Sequence, residues 1–362
     1  MTVNATLTPA PVKGPWRREF FALMAIGLPM ELTQLVQFSI NTVDVVMIGR
    51  LGPEPLAAGA LGLVMFYVLF VAGMGPAMAV SPMVSQALGA DAGDVRDVRR
   101  SVRMGLWLVG IGAPALSLIY LFAEEFAVMT GQPPQIAALA EPYVLALTPG
   151  LPFALGVIVL RNFLAAIERA RAPLYFIILT TILNAFLNYL LIYGHWGFPR
   201  LELVGAGIAS SISHAVGFFA LVAYINWEKR AKTFELFHNF FRPDWPRFAE
   251  VARLGWPISI TIGFEAMLFN AAVFLMGRIG VNEMAAYQAA INVAALAFMM
   301  PLGLSMAGSV RVGLMAGAKD KAGVRRAAAM AVACSVGGIM QVAGPVKLRP
   351  QEGAGVNKRA DH

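Results

Sequence analysis

Nine long apolar stretches, separated by short polar segments, run along the chain of 362 residues. Each could form a helix of roughly 20 residues, the length that crosses the apolar core of a bilayer. The stretches lie near 20–48, 56–82, 104–123, 136–160, 172–194, 203–226, 254–276, 284–310 and 327–344. The pattern therefore predicts an all-α integral membrane protein with about nine transmembrane helices.

The composition supports this class. The chain is 58% hydrophobic and 14% charged, with a mean hydropathy of +0.67, whereas about a quarter of the residues in soluble domains are charged. The single cysteine, Cys334, excludes an intramolecular disulfide and a cysteine-based metal site. His195 and His214 lack metal-ligand spacing, so we expect no resident metal or organic cofactor.

The connectors between the stretches alternate in basic content. Of the 28 Lys and Arg residues, 21 lie in the N-terminal segment and in alternate connectors, and only Arg50, Arg200 and Arg278 lie in the others. Basic loops resist translocation, so we expect a cytoplasmic N-terminus. Because this alternation accounts for the net charge of +7, we expect no nucleic-acid partner.

The chain contains an internal repeat. The segment GLPMELTQLVQFSINTVDVVMIGRLG from Gly27 aligns without gaps with GWPISITIGFEAMLFNAAVFLMGRIG from Gly255. Pro29 matches Pro257 in this register, whose offset is 228 residues. A unit of six helices returns the chain to the side where it began, so both copies have the same orientation. The expected architecture is two six-helix lobes that face each other across a cleft.

The second lobe is expected to be incomplete. The ninth stretch passes into the polar, basic segment QVAGPVKLRPQEGAGVNKRADH, which would lie outside the cell, where Lys and Arg are disfavoured. This favours a C-terminally truncated chain that lacks three helices and exports nothing on its own; a genuine nine-helix protein is the alternative. The predicted units are a cytoplasmic segment 1–19, a six-helix lobe 20–226, a cytoplasmic connector 227–253, a partial three-helix lobe 254–344 and a polar tail 345–362.

These features resemble a known family. The pattern from Gly27, the pair Asn184 and Asn188, the segment GWPISITIGFE and the duplicated layout are similar to the multidrug and toxic compound extrusion (MATE) transporters of the bacterial NorM type. The resemblance implies an antiporter, driven by Na⁺ or H⁺, that exports organic, often cationic compounds by alternating access. It also implies a monomer in the lipid bilayer of the bacterial inner membrane.

Asp44 lies near the end of the first stretch. A charge at the centre of a span costs roughly 2.5–3.5 kcal/mol on insertion scales, so such residues usually line a polar interior. A hydrated Asp44 at the outer mouth, near Arg50, is the alternative. Pro29 loosens the same helix, and Glu31 is expected to face cytoplasmic water. The resemblance implies that Asp44 binds a cation or proton and that the helix bends at Pro29, with Pro257 as the equivalent position.

Asn184 and Asn188 are four residues apart, which places both amides on one face of the fifth stretch. Their oxygens could bind a hard cation and their N–H groups a carboxylate; hydrogen bonding between helices is the alternative. The resemblance places both beside Asp44. Weaker candidates for this site are Asn41, Ser211 and Ser213.

Glu265 lies deep in the seventh stretch, eight residues after Pro257. The resemblance implies that it belongs to a second cation site, whose other acid would lie on a tenth helix. A neutral Glu265 hydrogen-bonded between helices is the alternative. The two lobes differ chemically, since the repeat pairs Asp44 with Ala272 and Gln37 with Glu265.

Three other functions are less well supported. An intramembrane enzyme would need a catalytic motif, and the chain has no H-E-x-x-H, no Cys–His pair and no paired acids at catalytic spacing on one helix. A lipid-linked oligosaccharide flippase of related fold would need basic residues inside the lobes to bind pyrophosphate, and the stretches hold almost none. A channel is disfavoured by a two-lobed repeat with different acids in each half.

Overall fold

The computed structural model describes residues 14–91, 95–279 and 281–343. These residues form twelve α-helices joined by turns and short 3₁₀ segments, with no strand among them. The helices are α1 Pro15–Gly49, α2 Pro53–Ala90, α3 Val95–Ser117, α4 Ala123–Met129, α5 Pro134–Leu147, α6 Leu151–Ala166, α7 Arg171–Tyr193, α8 Glu202–Trp227, α9 Lys229–Lys232, α10 Trp245–Ile279, α11 Val281–Gly317 and α12 Lys321–Ala343.

The predicted all-α membrane fold is confirmed. Every predicted stretch coincides with a helix or with a pair of helices. In the described part of the chain, seven helical segments are long and apolar enough to cross a membrane. They are Pro15–Gly49, Pro53–Ala90, Val95–Met129, Pro134–Ala166, Arg171–Tyr193, Glu202–Trp227 and Ala297–Gly317. The seventh and ninth stretches form α10 and α12.

Several helices begin or end outside the predicted bounds. α3 begins at Val95, so its first turns hold the arginines that the sequence placed in a connector. α6 includes Arg161 and α11 includes Arg311. Hydropathy marks the apolar part of a helix, whereas the hydrogen-bonded backbone continues into polar turns at the membrane surface. The tail 345–362 and residues 1–13 lie outside the described residues.

The fourth stretch is interrupted. α5 ends at Leu147 and α6 begins at Leu151, with a single 3₁₀ turn, Thr148–Gly150, between them. Pro149 lies in that turn and Pro152 follows it. Each proline removes one backbone N–H donor, which favours a break at this point over a continuous helix.

Contacts between the two halves follow the 228-residue repeat. Gly27 of α1 faces Leu304 of α11, so closely that an added Cβ would lie 2.9 Å from the leucine side chain. Gly255 of α10 faces Pro76 of α2 in the same way. Because 27 pairs with 255 and 76 with 304 in the repeat, these two contacts are equivalent.

Further equivalent contacts extend this pattern. Gly75 faces Ser259, and its repeat partner Gly303 faces Glu31. Gly89 faces Leu314, and its repeat partner Gly317 faces Gln86. Ser85 faces Gly313, which is its own repeat partner, so α2 and α11 cross on the axis that relates the halves. The parallel repeat predicted from the sequence is therefore visible in the packing. Small residues let the backbones approach this closely.

Glu31 corrects one expectation. It is only 8% exposed and packs against Gly303 between the halves, instead of facing cytoplasmic water. A second acid of α1, Glu19, is also buried there and accepts hydrogen bonds of 2.8 and 2.7 Å from Nε and Nη2 of Arg311. These contacts join the two halves at the end that the predicted topology makes cytoplasmic.

The two prolines of the repeat lie inside helices that continue through them. Thr33 donates a hydrogen bond of 2.7 Å to the Pro29 carbonyl, and Thr261 donates one of 2.9 Å to the Pro257 carbonyl. A threonine hydroxyl bonded to the carbonyl four residues earlier often bends a helix. The bends at Pro29 and Pro257 stay predictions. The same threonine hydrogen bond accompanies each of the two prolines.

The close approach of α2 and α11 predicts an effect of substitution. In Gly89→Ala the new methyl group would overlap the backbone carbonyl of Leu314, and overpacking of this kind costs about 1–3 kcal/mol. Gly112 of α3 has open space around it, so Gly112→Ala should leave stability unchanged or raise it by up to about 1 kcal/mol. Thermal unfolding in detergent tests both. Equal unfolding temperatures for the two variants would contradict the packing of α2 against α11.

Candidate functional site

The structure brings together the three residues that the sequence assigned to the first lobe. Asp44 lies on α1, and Asn184 and Asn188 lie on α7. All three side chains are buried, at 7%, 2% and 0% exposed. The hydrated position near the outer mouth, which was the alternative for Asp44, is therefore wrong.

These side chains form a closed ring of hydrogen bonds with Ser210 of α8. Asn188 Nδ2 donates to Asp44 Oδ1 at 2.5 Å and to Asn184 Oδ1 at 3.2 Å. Asn184 Nδ2 donates to Ser210 Oγ at 3.3 Å, and Ser210 Oγ donates to Asp44 Oδ2 at 3.4 Å. Both oxygens of the carboxylate thus have a neutral donor.

Packing of α7 against its neighbours sets this geometry. Tyr193 Oη donates a hydrogen bond of 3.0 Å to the Met47 carbonyl, which fixes α7 against α1 three residues beyond Asp44. Gly217 of α8 faces Thr180 of α7. Ser210 is seven residues before Gly217, or about two turns, so it lies on the same face of α8 and reaches Asn184.

The sequence analysis missed Ser210, and the two serines that it named as weaker candidates lie outside the ring. Ser211 Oγ donates to the Ala146 and Leu147 carbonyls, and Ser213 Oγ donates to the Ala209 carbonyl in its own helix. Asn41 is exposed. The sequence carried no signal for Ser210, since Gly207 of the same helix faces α5 and only the packing shows that Gly217 faces α7.

One buried oxygen in the ring has no partner. Asn188 Oδ1 is buried and makes no hydrogen bond with any described residue. It lies on the amide whose nitrogen bonds Asp44, and buried acceptors without partners are rare. The oxygens of Asp44, Asn184, Asn188 and Ser210 together form the donor set that a hard cation such as Na⁺ prefers.

The charge of the ring limits what it can bind. Asp44 forms no ion pair among the described residues, whose ion pairs involve other groups. No cluster of three His, Cys, Asp or Glu side chains suited to a metal ion occurs in the described part of the chain. With a single carboxylate and three neutral groups, the ring is neutralised by one proton or by one monovalent cation.

Glu265 lies apart from this ring. It is exposed on α10 and acts electrostatically on Tyr67 of α2, which is 48% exposed. Among the described residues it forms no ion pair. The alternative for Glu265, a neutral carboxyl hydrogen-bonded between helices, has no support among those residues. Its assignment to a second cation site stays a prediction.

Comparison with known proteins identifies the family. The sequence model of the MatE family matches residues 29–190 and 257–342, which are the two halves of the repeat. The chain belongs to the MatE family. Its relatives include the probable multidrug resistance protein NorM of Rhizobium meliloti, 44% identical over 93% of this chain and 72% of that protein. A NorM protein of Agrobacterium fabrum is also 44% identical, over 92% of this chain and 72% of the relative.

Solved MATE structures share the fold. The Vibrio cholerae MATE transporter VcmN in its bent form superposes with a TM-score of 0.81 at 20% identity, over 91% of this chain and 73% of that one. A eukaryotic MATE transporter gives 0.77 at 21% identity, over 92% and 74%. The predicted family is therefore confirmed, and the chain is a multi-pass membrane protein of a transporter family. The roles assigned to its site residues remain predictions.

The ring predicts a coupled effect on stability. Asn188→Leu leaves the buried Asp44 carboxylate without its best donor, and loss of such a partner costs about 1–3 kcal/mol, or more for a charged group. Removing both groups, in Asp44→Leu/Asn188→Leu, should cost less than the sum of the single changes. Asn226→Leu, an exposed amide bonded to its own helix at Val222, is the control and should have little effect. Thermal unfolding in detergent measures all four variants, and strict additivity would contradict the ring.

Proposed function

We propose that this protein is a cation-coupled multidrug efflux antiporter, which exports organic, often cationic compounds in exchange for Na⁺ or H⁺. The observation that carries the proposal is the Asp44 ring, a buried carboxylate with neutral donors and one oxygen, Asn188 Oδ1, that has no hydrogen-bond partner. The NorM relatives, named as probable multidrug resistance proteins, support export of toxic compounds. Family membership argues against an enzyme.

The ring suggests how the coupling ion acts. Without an ion, Asp44 holds a negative charge in a buried place, which is costly and attracts a cation. A proton or Na⁺ at Asp44 removes that charge. Binding of the ion and of a cationic compound in the same lobe then oppose each other, because one carboxylate neutralises only one positive charge. The exchange of ion for drug follows from this competition.

Alternating access requires the contacts between the halves to open and close. The contacts between the halves include the glycine contacts of α2 with α11 and the ion pair of Glu19 with Arg311. We propose that they close the cleft at the cytoplasmic end and separate when the transporter opens inward. Related transporters move one repeat against the other around a fixed site.

One buried basic residue, Arg161, bears on the flippase alternative. Arg161 was placed in a connector, but it lies in α6, is 8% exposed and donates a hydrogen bond of 2.9 Å to Gln34 Oε1. One guanidinium bonded to a neutral amide does not make a pyrophosphate site, which needs several converging donors. Efflux of small compounds therefore remains the better proposal, with the protein acting as a monomer in the inner membrane and its N-terminus in the cytoplasm.

Transport assays test the role of Asp44. The matched relative is longer than the match, which covers 72% of it. Efflux of a fluorescent cation is therefore measured with this chain and with a chimera that carries the rest of the Rhizobium meliloti relative. We expect the chimera to export in a Na⁺ or a pH gradient. Asp44→Asn should lower its export to the empty-vector level and Glu265→Gln should remove most of it.

The matched control is Glu54→Gln, an exposed acid in the first turn of α2. It should export as the unmodified chimera does, because its carboxylate is hydrated. Full export by Asp44→Asn in both gradients would overturn the proposed coupling site. Export by the chimera when neither a Na⁺ gradient nor a pH gradient is present would overturn cation coupling itself.

A further inference from the structure

A second polar site lies far from the Asp44 ring. A cavity of about 390 Å³ opens between the first turns of α3 and the segment that joins α9 to α10. Its volume is many times the share of one water molecule in the liquid, about 30 Å³. The lining includes five arginines, Arg96, Arg99, Arg100, Arg103 and Arg242.

Carboxylates neutralise part of this positive charge. Arg100 forms a two-pronged contact with Asp244, at 2.5 and 3.3 Å, and a third hydrogen bond with Asp97. The Arg100 guanidinium thereby holds the pKa of Asp244 below its usual value, so this acid stays ionised. Arg99 pairs with the exposed Glu235 at 3.3 Å.

Three arginines keep donors for a ligand. Arg96 and Arg242 are exposed and form no ion pair among the described residues. Arg103 is only 7% exposed; its Nη1 donates to the Asn239 carbonyl at 3.0 Å, but its buried Nε has no partner there. It also lies within electrostatic range of one carboxylate, Asp244, which Arg100 already binds, and of three guanidinium groups, on Arg99, Arg100 and Arg242. A buried cation with an excess of like charges around it and a free donor calls for a further anion.

The number and geometry of the donors indicate a phosphate group. Guanidinium groups bind phosphate oxygens through paired N–H donors, and the two non-ester oxygens of a phospholipid phosphate can accept hydrogen bonds from several arginines at once. The cavity is also held in shape, since Trp107 Nε1 and Arg103 Nη1 both bind backbone carbonyls of the joining segment, at Phe240 and Asn239.

The surroundings favour a lipid as the source of the phosphate. Phe241 is 84% exposed and Trp245 is 62% exposed beside the cavity. Exposed aromatic and basic side chains at one end of a helix bundle are typical of the level of lipid headgroups. A soluble anion would gain nothing from the apolar rings, whereas acyl chains would pack against them.

We propose that this cavity binds the phosphate of an anionic phospholipid, with Arg96, Arg103 and Arg242 as its ligands. The bound headgroup neutralises the excess arginine charge and links α3 to the segment that joins the two halves. The cavity shares no residue with the Asp44 ring.

Lipid binding to the intact chain tests the proposal. The chain in detergent is titrated with short-chain phosphatidylglycerol, with phosphatidylcholine of the same chain length and with inorganic phosphate, and binding is followed by native mass spectrometry. The test variant is Arg96→Gln/Arg242→Gln, whose side chains are exposed and whose change should not affect folding. Arg171→Gln, an exposed arginine that does not line the cavity, is the matched control.

We expect phosphatidylglycerol to bind more tightly than phosphatidylcholine. The double variant should bind it roughly thirtyfold more weakly, since each basic residue near an anionic headgroup contributes about a factor of five. The control should bind it normally. Equal binding of the two lipids, or an unchanged affinity in the double variant, would overturn the site. Inorganic phosphate that competes at concentrations equal to those of the lipid would overturn the lipid as its ligand.

Discussion

A buried carboxylate without a cationic partner is the constraint on which this structure depends. Asp44 is placed inside the bundle by α1, and the protein cannot leave its charge there unsatisfied. Two other helices meet the requirement: α7 supplies two amides and α8 supplies Ser210. The ring is satisfied except at Asn188 Oδ1, so it has the donors to tolerate the charged state and an acceptor left for an ion.

The duplicated architecture sets the packing of the two halves but not the chemistry of the site. The repeat controls the packing, since the glycine contacts and the Pro–Thr pairs recur at an offset of 228 residues. It does not control the chemistry, because Ala272 stands where the first half has Asp44 and Gln37 stands where the second half has Glu265. In the proposed antiporter, the symmetric contacts would let two similar halves move against each other. The proposed coupling ion would bind at Asp44 in one half, and a different acid, Glu265, would lie in the other.

The sequence was sufficient for the fold and for most of the ring. Hydropathy located the helices, because a helix in lipid must be apolar over its length, and the spacing of Asn184 and Asn188 placed both on one face. It failed where the outcome depends on how a helix is rotated against its neighbours. Ser210, Ser211 and Ser213 are alike in hydropathy, and only the packing of Gly217 against α7 selects Ser210. Glu31 was misjudged for the same reason, since nothing local shows that Gly303 covers it.

Infrared difference spectroscopy of the chain in liposomes tests the central claim most directly, because it reports the charge state of one carboxyl group. The spectra are recorded on raising the pH and, separately, on adding Na⁺, for the chain and for Asp44→Asn. We predict loss of the carbonyl stretch of a protonated carboxylic acid in at least one of the two conditions, and the absence of that change in Asp44→Asn. Identical difference spectra for the chain and for Asp44→Asn in both conditions would contradict the account.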